Sequence, residues 1–286
     1  MRLRAEAALL AVTMVWGATF LAVQFAMTMS GPLFFVGLRF AIAAAIAFAI
    51  AGRTLKHVTR REVVAGCAIG VSICAGYSLQ SEGLKHVLSS ESAFITALYV
   101  PIVPLLQWAV LRRPPRLTTW LAVGLAFLGM TLIGARGADL DNLGRGELIT
   151  LISAFVFAAE ILLISYFAPN VDARRVTAIQ LAATSILAFT LMPVFGESVP
   201  ANVPWPLVAM AAALGLASSI IQLTMNWAQK IVSPARATII YATEPVWAGL
   251  IGLMAGEWLG VFGWVGGALV IAGVLVSEIG RGRDDG

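Results

Sequence analysis

Apolar residues run along this chain in long blocks separated by short polar gaps. Windows nearly free of charge occupy 7–28, 32–51, 63–82, 91–111, 117–135, 147–167, 175–195, 205–229, 234–256 and 258–279. A helix rises about 1.5 Å per residue and a hydrocarbon core is about 30 Å thick, so about 20 apolar residues make one crossing. The pattern predicts an all-α integral membrane protein with ten transmembrane helices. Between Ser198 and Lys230, the residues Pro200, Pro204 and Pro206 make the first part a loop and leave one span. No charge falls from Ala7 to Leu38, which is longer than the apolar core of about 7–15 residues in a signal peptide. The first block is therefore expected to be an uncleaved span.

Composition agrees with the pattern. Of 286 residues, 59% are hydrophobic and 12% charged, with mean hydropathy +0.89, against about 25% charged in a soluble domain. A water-soluble globule is excluded. The net charge of +4 sits in the gaps between apolar blocks, a placement that suits lipid headgroups rather than nucleic acid. With the N-terminus inside, fifteen Lys and Arg fall on the cytoplasmic side and only Lys85, Arg136 and Arg145 opposite, Arg39 lying within a span. Retention of positive charge in the cytoplasm then puts both termini there, in a bacterial-type inner membrane. Cys67 and Cys74 lie seven apart on one predicted helix, so they cannot bridge each other and read as packing residues.

The chain also repeats itself. At an offset of 144, Ser89, Ala93, Ile95, Pro101, Trp120 and Gly129 meet Ser233, Ala237, Ile239, Pro245, Trp264 and Gly273; at 141, Trp16-Gly17-Ala18-Thr19 meets Phe157-Ala158-Ala159-Glu160, and Arg39-Phe40-Ala41 meets Gln180-Leu181-Ala182. The predicted domains are 1–139 and 140–286, five spans each. An odd number of spans inverts the second copy relative to the first. Inverted repeats permit two near-equivalent packings about a midplane site, which points to a transporter working by alternating access.

Trp16-Gly17-Ala18-Thr19-Phe20, Pro32 with Arg39 and Phe40, Tyr77 to Leu84, and Ser89-Ser90-Glu91-Ser92-Ala93 leading to Pro101 resemble the EamA domain of the drug/metabolite transporter superfamily. The second half resembles it again through Gln180 and the run from Ser233-Pro234-Ala235 to Glu244-Pro245. The resemblance covers nearly the whole chain. It implies a ten-helix export-type carrier, most similar in length, topology and aromatic content to the YddG-type amino acid exporters. Glu160 departs from the family pattern, where an aliphatic residue or tyrosine is usual.

Charge at membrane depth costs about 2.5–3.5 kcal/mol at a helix centre, so it is kept where it faces a cavity or partner. Arg39 is expected to bond carbonyls structurally or to form a gating ion pair. Mid-span Glu160 can exchange a proton or receive a substrate ammonium, and Glu244 adjoins Pro245, which is expected to kink its helix. Tyr77 with Gln80, Thr96 with Tyr99, Gln222 with Asn226, and Tyr241 with Glu244 each share a helix face, as do Trp16 and Phe20. These eleven residues, Glu160 included, form the expected substrate cavity, with Arg39, Pro101 and Pro245 as gating or structural positions. Rings supply area and a few polar groups fix the ends of an amino acid, first of all an aromatic or large aliphatic one. Trp108, Trp205, Trp258 and Trp264 read as interfacial anchors. Gly66 with Gly70, Gly252 with Gly256 and Gly263 with Gly267 read as helix-packing pairs.

No phosphate loop or dinucleotide fingerprint is present, and His57 and His86 fall in predicted loops. No cofactor, no metal and no catalytic residue is expected, and the chain does not read as an enzyme. The expected partners are a small-molecule substrate and the lipid bilayer, with no nucleic acid and a monomer able to enclose the site. The alternatives are an exporter of other metabolites or cationic drugs, with Glu160 as counter-charge, then a channel, then an intramembrane enzyme.

Overall fold

Helices account for the ordered backbone, as hydrocarbon requires, because only a helix satisfies its own amides and carbonyls along one segment. The computed structural model describes residues 2–111, 117–134, 144–232, 237, 240–258 and 260–279. Outside them lie Arg112, Arg113, Arg116, Arg136, Arg236, Arg281 and Arg283 of the charge pattern, Ser233, Pro234 and Ala235 of the second motif, Ile239, and the expected junction at 139/140. The helices are α1 (Arg2–Ala26), α2 (Pro32–Ala51), α3 (Arg60–Gly83), α4 (Ser89–Thr96), α5 (Tyr99–Leu111), α6 (Leu117–Gly134), α7 (Arg145–Phe167), α8 (Ala173–Leu191), α9 (Trp205–Ala228), α10 (Glu244–Met254) and α11 (Gly260–Ile279). Six segments among the described residues are long and apolar enough to cross a membrane: Arg2–Ala26, Pro32–His57, Arg60–Gly83, Ser89–Ala109, Arg145–Asn170 and Trp205–Ala228.

Two of the expected continuous spans are interrupted. The window 91–111 breaks between Thr96 and Tyr99, and within 234–256 a new helix starts at Glu244. Pro101 and Pro245 explain both positions. Each lacks an amide proton, and its ring excludes the carbonyl four residues earlier, at Ala97 and Tyr241. Tight three-residue bonds carry the chain across, from Val100 N to Ala97 O (3.0 Å) and from Val246 N to Thr243 O (3.2 Å). The result is a break rather than the single kink expected at Pro245.

The same helix pairings recur, though not to the same extent, when the first part of the chain is exchanged for the second. Helix α2 lies on α8, and α6 on α11; α3 packs on α7 and α8, while α9 packs on α1 and α2; α1 meets α10, while α7 meets α4 and α5. One pair of close approaches shows the correspondence in detail. A Cβ on Gly70 would stand 2.7 Å from both the Gln180 carbonyl and the Ala183 side chain; one on Gly215 would stand 2.8 Å from the Arg39 carbonyl and 3.0 Å from Ile42. Gln180 and Ala183 each follow Arg39 and Ile42 by 141 positions. Glycine is needed at both places because backbone meets backbone there.

Chain ends of the helices gather at two faces. Gln24 donates to the Val87 carbonyl (2.7 Å) and Glu197 accepts from Leu33 N (3.0 Å), which marks the distal end. The end holding Arg2 carries Thr59, whose capping box with Glu62 starts α3, and Asp172, which caps α8. Partial burial works to raise the Asp172 carboxyl, but its bonds from Arg174 and from the Arg175 amide outweigh that and hold it below the usual carboxylate range. The expected anchors Trp108, Trp205, Trp258 and Trp264 are all exposed. Cys67 is also exposed while Cys74 is buried; seven residues fall only about 20° short of two turns, so both share one side of α3, but neighbouring helices cover that side at Cys74 alone, and only Cys74 packs as expected.

Gly70→Val and Gly215→Val should each destabilise the purified protein by about 1–3 kcal/mol through overpacking. A Cβ at Gly124 meets nothing within 4 Å, so Gly124→Val serves as the neutral comparison. Thermal unfolding in detergent followed by size-exclusion chromatography checks this, and equal midpoints for all three variants would contradict the packing.

Candidate functional site

The two helix breaks face each other. Tyr99 begins α5 and Glu244 begins α10, and the Tyr99 hydroxyl donates to Glu244 Oε2 at 3.2 Å. Around this contact is a cavity with room for about one water molecule, lined by Trp16, Gln80, Thr96, Tyr99, Phe157, Glu160, Ile161, Met225 and Glu244. Both carboxylates are buried, and no Lys, Arg or His is among the lining residues. Gln80 donates to Thr96 at 3.2 Å, so one wall is a bonded pair. Glu160 Oε1 accepts from Gln222 at 2.9 Å, while its Oε2 has no hydrogen-bond partner among the described residues.

Behind this wall stands a layer of rings and amides. The Trp16 indole donates to the Tyr77 hydroxyl at 3.0 Å. Tyr77 meets Phe40 and Phe157 edge-on, with centroids 5.1 and 5.2 Å apart, and Trp16 meets Tyr241 at 5.9 Å. Gln222 continues inward, accepting from Gln180 at 2.8 Å. Asn226 donates to Thr177 and Gln180, both at 3.1 Å. Tyr241 accepts from Gln229 at 3.2 Å, and Gln229 in turn accepts from Ser165 at 2.7 Å. Such pairing is what a bilayer interior demands of polar side chains.

Arg39 is fully buried and forms no ion pair among the described residues. Its Nε donates to Ser218 at 2.8 Å, and its guanidinium carbon lies 4.9 Å from the Tyr77 ring centroid and 5.3 Å from that of Phe40. Cation–π contact replaces the expected gating ion pair. Its Nη2 has no bond among the described residues. Tyr77 therefore separates a buried cation from the two buried carboxylates.

Six of the expected cavity residues line it together: Trp16, Gln80, Thr96, Tyr99, Glu160 and Glu244. Tyr77, Gln222 and Tyr241 stand one layer back, each bonded or packed against a lining residue. Two lie elsewhere. Phe20 belongs to a separate core cluster with Phe34, Phe35, Leu84 and Ala248, because a full turn moves it about 6 Å along α1 from Trp16. Asn226, a turn beyond Gln222, is consumed by the α8–α9 amide network. Pro101 and Pro245 follow the breaks at which Tyr99 and Glu244 meet. Phe157, Ile161 and Met225 also line the cavity, and the expected set omits them. The repeat carried the signal for two of them, since Phe157 and Ile161 follow Trp16 and Phe20 by 141 positions.

A larger cleft of about 700 Å³ opens near the distal end between α2, α3 and α8. Leu33, Val71, Leu187 and Leu191 supply apolar wall, while Glu82, Lys85, Arg145 and Glu197 supply charge. Among the described residues no group of three or more His, Cys, Asp or Glu is placed to hold a metal.

Comparison with known proteins agrees with this architecture. An uncharacterized transporter of Archaeoglobus fulgidus is 26% identical over 279 residues, covering 97% of this chain and 87% of that one. The uncharacterized inner membrane transporter YedA of Escherichia coli is 25% identical over 286 residues, covering 96% and 90%. A crystal structure superposes with TM-score 0.72 at 20% identity, over 100% of this chain and 99% of that one, and shares the fold. The EamA-like transporter family matches residues 3–135 and again 144–278. The chain is a multi-pass membrane protein and belongs to the EamA-like transporter family.

Proposed function

We propose that this protein is a secondary carrier that moves a small amine-bearing metabolite through the membrane by alternating access. Ten crossings in two inverted halves, 1–139 and 140–286, with both termini in the cytoplasm, are the topology that goes with this reading. Interfaces that persist when the halves are exchanged support it, as does a cavity lying between two interrupted helices.

One observation carries the substrate class. The cavity wall holds two buried carboxylates, three aromatic rings and no basic side chain. An ammonium group gains from Glu160 and Glu244, whose charge is costly to leave unpaired in hydrocarbon. Trp16, Phe157 and Tyr99 offer area to an apolar or aromatic body. Amino acids remain within this class, and a second observation favours them: among the described residues Arg39 Nη2 has no hydrogen-bond partner, and its guanidinium lies over the Tyr77 ring. Movement of that ring would present it to a substrate carboxylate. Amines without a carboxylate, including cationic drugs, need only the two acids. A cavity of this size has the walls drawn together over the proposed site.

In proteoliposomes, labelled phenylethylamine and phenylalanine should show saturable uptake accelerated by unlabelled substrate on the far side, whereas phenylpropionate, which lacks the ammonium, should not. Currents without saturation would indicate a channel. Phenylpropionate transported as well as the amines would remove the acidic site from the mechanism.

Glu160→Gln and Glu244→Gln keep shape and most hydrogen bonding while removing charge. Each should weaken half-saturation for phenylethylamine by about 10–100-fold, the equivalent of about 1.4–3 kcal/mol for a charged hydrogen bond. Tyr99→Phe should weaken transport without lowering membrane expression, and Tyr77→Ala should do the same. Loss of expression instead would assign those tyrosines to packing. Arg39→Gln should depress phenylalanine uptake more than phenylethylamine uptake, and equal loss of both would confine Arg39 to a structural role.

A further inference from the structure

Among the described residues, three carboxylates accept backbone amides at the start of a helix in the other half of the chain. Glu62 accepts from Asp172 N at 2.9 Å and from the Arg175 guanidinium at 2.9 and 2.7 Å. Glu197 accepts from the amides of Leu33 at 3.0 Å and Phe34 at 2.6 Å. Glu257 accepts four bonds, from Ser89 N (3.1 Å), Ser89 Oγ (2.6 Å), Ser90 N (3.1 Å) and Ser90 Oγ (2.6 Å). The first two are counterparts, for they sit at the starts of α8 and α2, which exchange with each other. By sequence offset none of the three carboxylates is matched by another acid: Val203 stands 141 positions after Glu62, Lys56 stands 141 before Glu197, and Arg113 stands 144 before Glu257.

The Glu257 clasp sits over the cavity. Helix α4 runs from Ser89 to Thr96, in the cavity wall, and α10 runs from Glu244, also in the wall, to Met254. They pack on each other. At about 1.5 Å per residue they are about 12 and 16 Å long, close to half of a hydrocarbon core of about 30 Å. These two half-helices thus cover the cavity on the distal side, and Glu257 ties their distal ends together. Its seat is built into the backbone. Gly256 adopts φ +88, the left-handed conformation that glycine takes without strain, and Glu257 N bonds the Gly252 carbonyl at 2.9 Å. The chain so turned lays the carboxylate over Gly252, where a Cβ would stand 2.4 Å from it. Gly252 and Gly256 therefore serve this seat rather than the helix-packing pair expected from their spacing. Glu257 is partly exposed while Ser89 and Ser90 are buried, so water can replace each bond as it breaks.

We infer that Glu257 on Ser89 and Ser90 is the latch of the distal gate, holding α4 to the end of α10 while the cavity is shut on that face and releasing when it opens there. The latch rests on the alternating-access reading proposed above.

Glu257→Gln leaves an amide that cannot accept the second pair of bonds, and Ser89→Ala with Ser90→Ala removes the hydroxyl pair while leaving the carboxylate. Each is placed in a background with Cys67→Ser, Cys74→Ser and Ile161→Cys in the cavity wall. Labelling by a membrane-impermeant maleimide applied to the distal face should be at least fivefold faster with Glu257→Gln than without it, with a smaller gain in the serine double variant. A second protein pairs Ser90→Cys with Glu257→Cys. Oxidation should stop phenylethylamine transport, and reduction should restore it. Unchanged labelling in the variants that reach the membrane, or full transport with the disulfide closed, would overturn the latch and make Glu257 a static strut. Wild-type protein that transports none of the amines and labels equally from both faces would instead sink the carrier reading.

Discussion

An unbonded amide or carbonyl in hydrocarbon costs several kcal/mol, and this single penalty organises the molecule. It forces helix wherever lipid is met. It also decides where helix can stop. The two mid-span interruptions, before Tyr99 and before Glu244, are buried against each other and against the cavity. Short three-residue bonds and side chains absorb the freed groups; Thr243 Oγ1 donates to the Ile240 carbonyl at 2.8 Å and lies 2.9 Å from Thr13 Oγ1.

The same penalty explains the polar layer around the cavity. Gln180, Gln222 and Asn226 bind one another, and Gln229 holds Tyr241. Against that background the incompletely bonded groups stand out. Among the described residues, Glu160 Oε2 and Arg39 Nη2 are buried without a partner, as are Ser78, Ser92 and Ser219 Oγ and Trp247 Nε1, and the first two belong to charged groups. The clasps at the membrane faces apply the principle at helix starts. Gly31 offers α2 no capping side chain, and Glu197 supplies the acceptor from the other half; a Cβ on Gly31 would stand 2.2 Å from the Glu197 carboxyl carbon.

Much of this was legible in the residues. Ten apolar windows announce a membrane bundle, and offsets of 141 and 144 announce the internal correspondence. Trp16, Gln80, Thr96, Tyr99, Glu160 and Glu244 were identifiable because polar and aromatic residues are conspicuous inside apolar spans. Phe157 and Ile161 were marked only through the repeat and Met225 not at all, since apolar residues in an apolar helix carry no local mark of which face meets a cavity. Phe20 and Asn226 mislead for the complementary reason. They share a helical face with a cavity residue, but a turn along that face reaches a different neighbour.

Composition and spacing by themselves determined that this chain is membrane helix, that it is built on a repeated pattern, and that few charges are kept at depth, because the transfer cost of each residue is a property of that residue and of hydrocarbon. Only the tertiary structure decided that two spans break face to face, that Arg39 rests on rings instead of a carboxylate, and that Glu257 crosses to Ser89 and Ser90. Those outcomes depend on which helix stands opposite which, and the pairing is set by close approaches such as Gly70 on Gln180, between residues 110 positions apart.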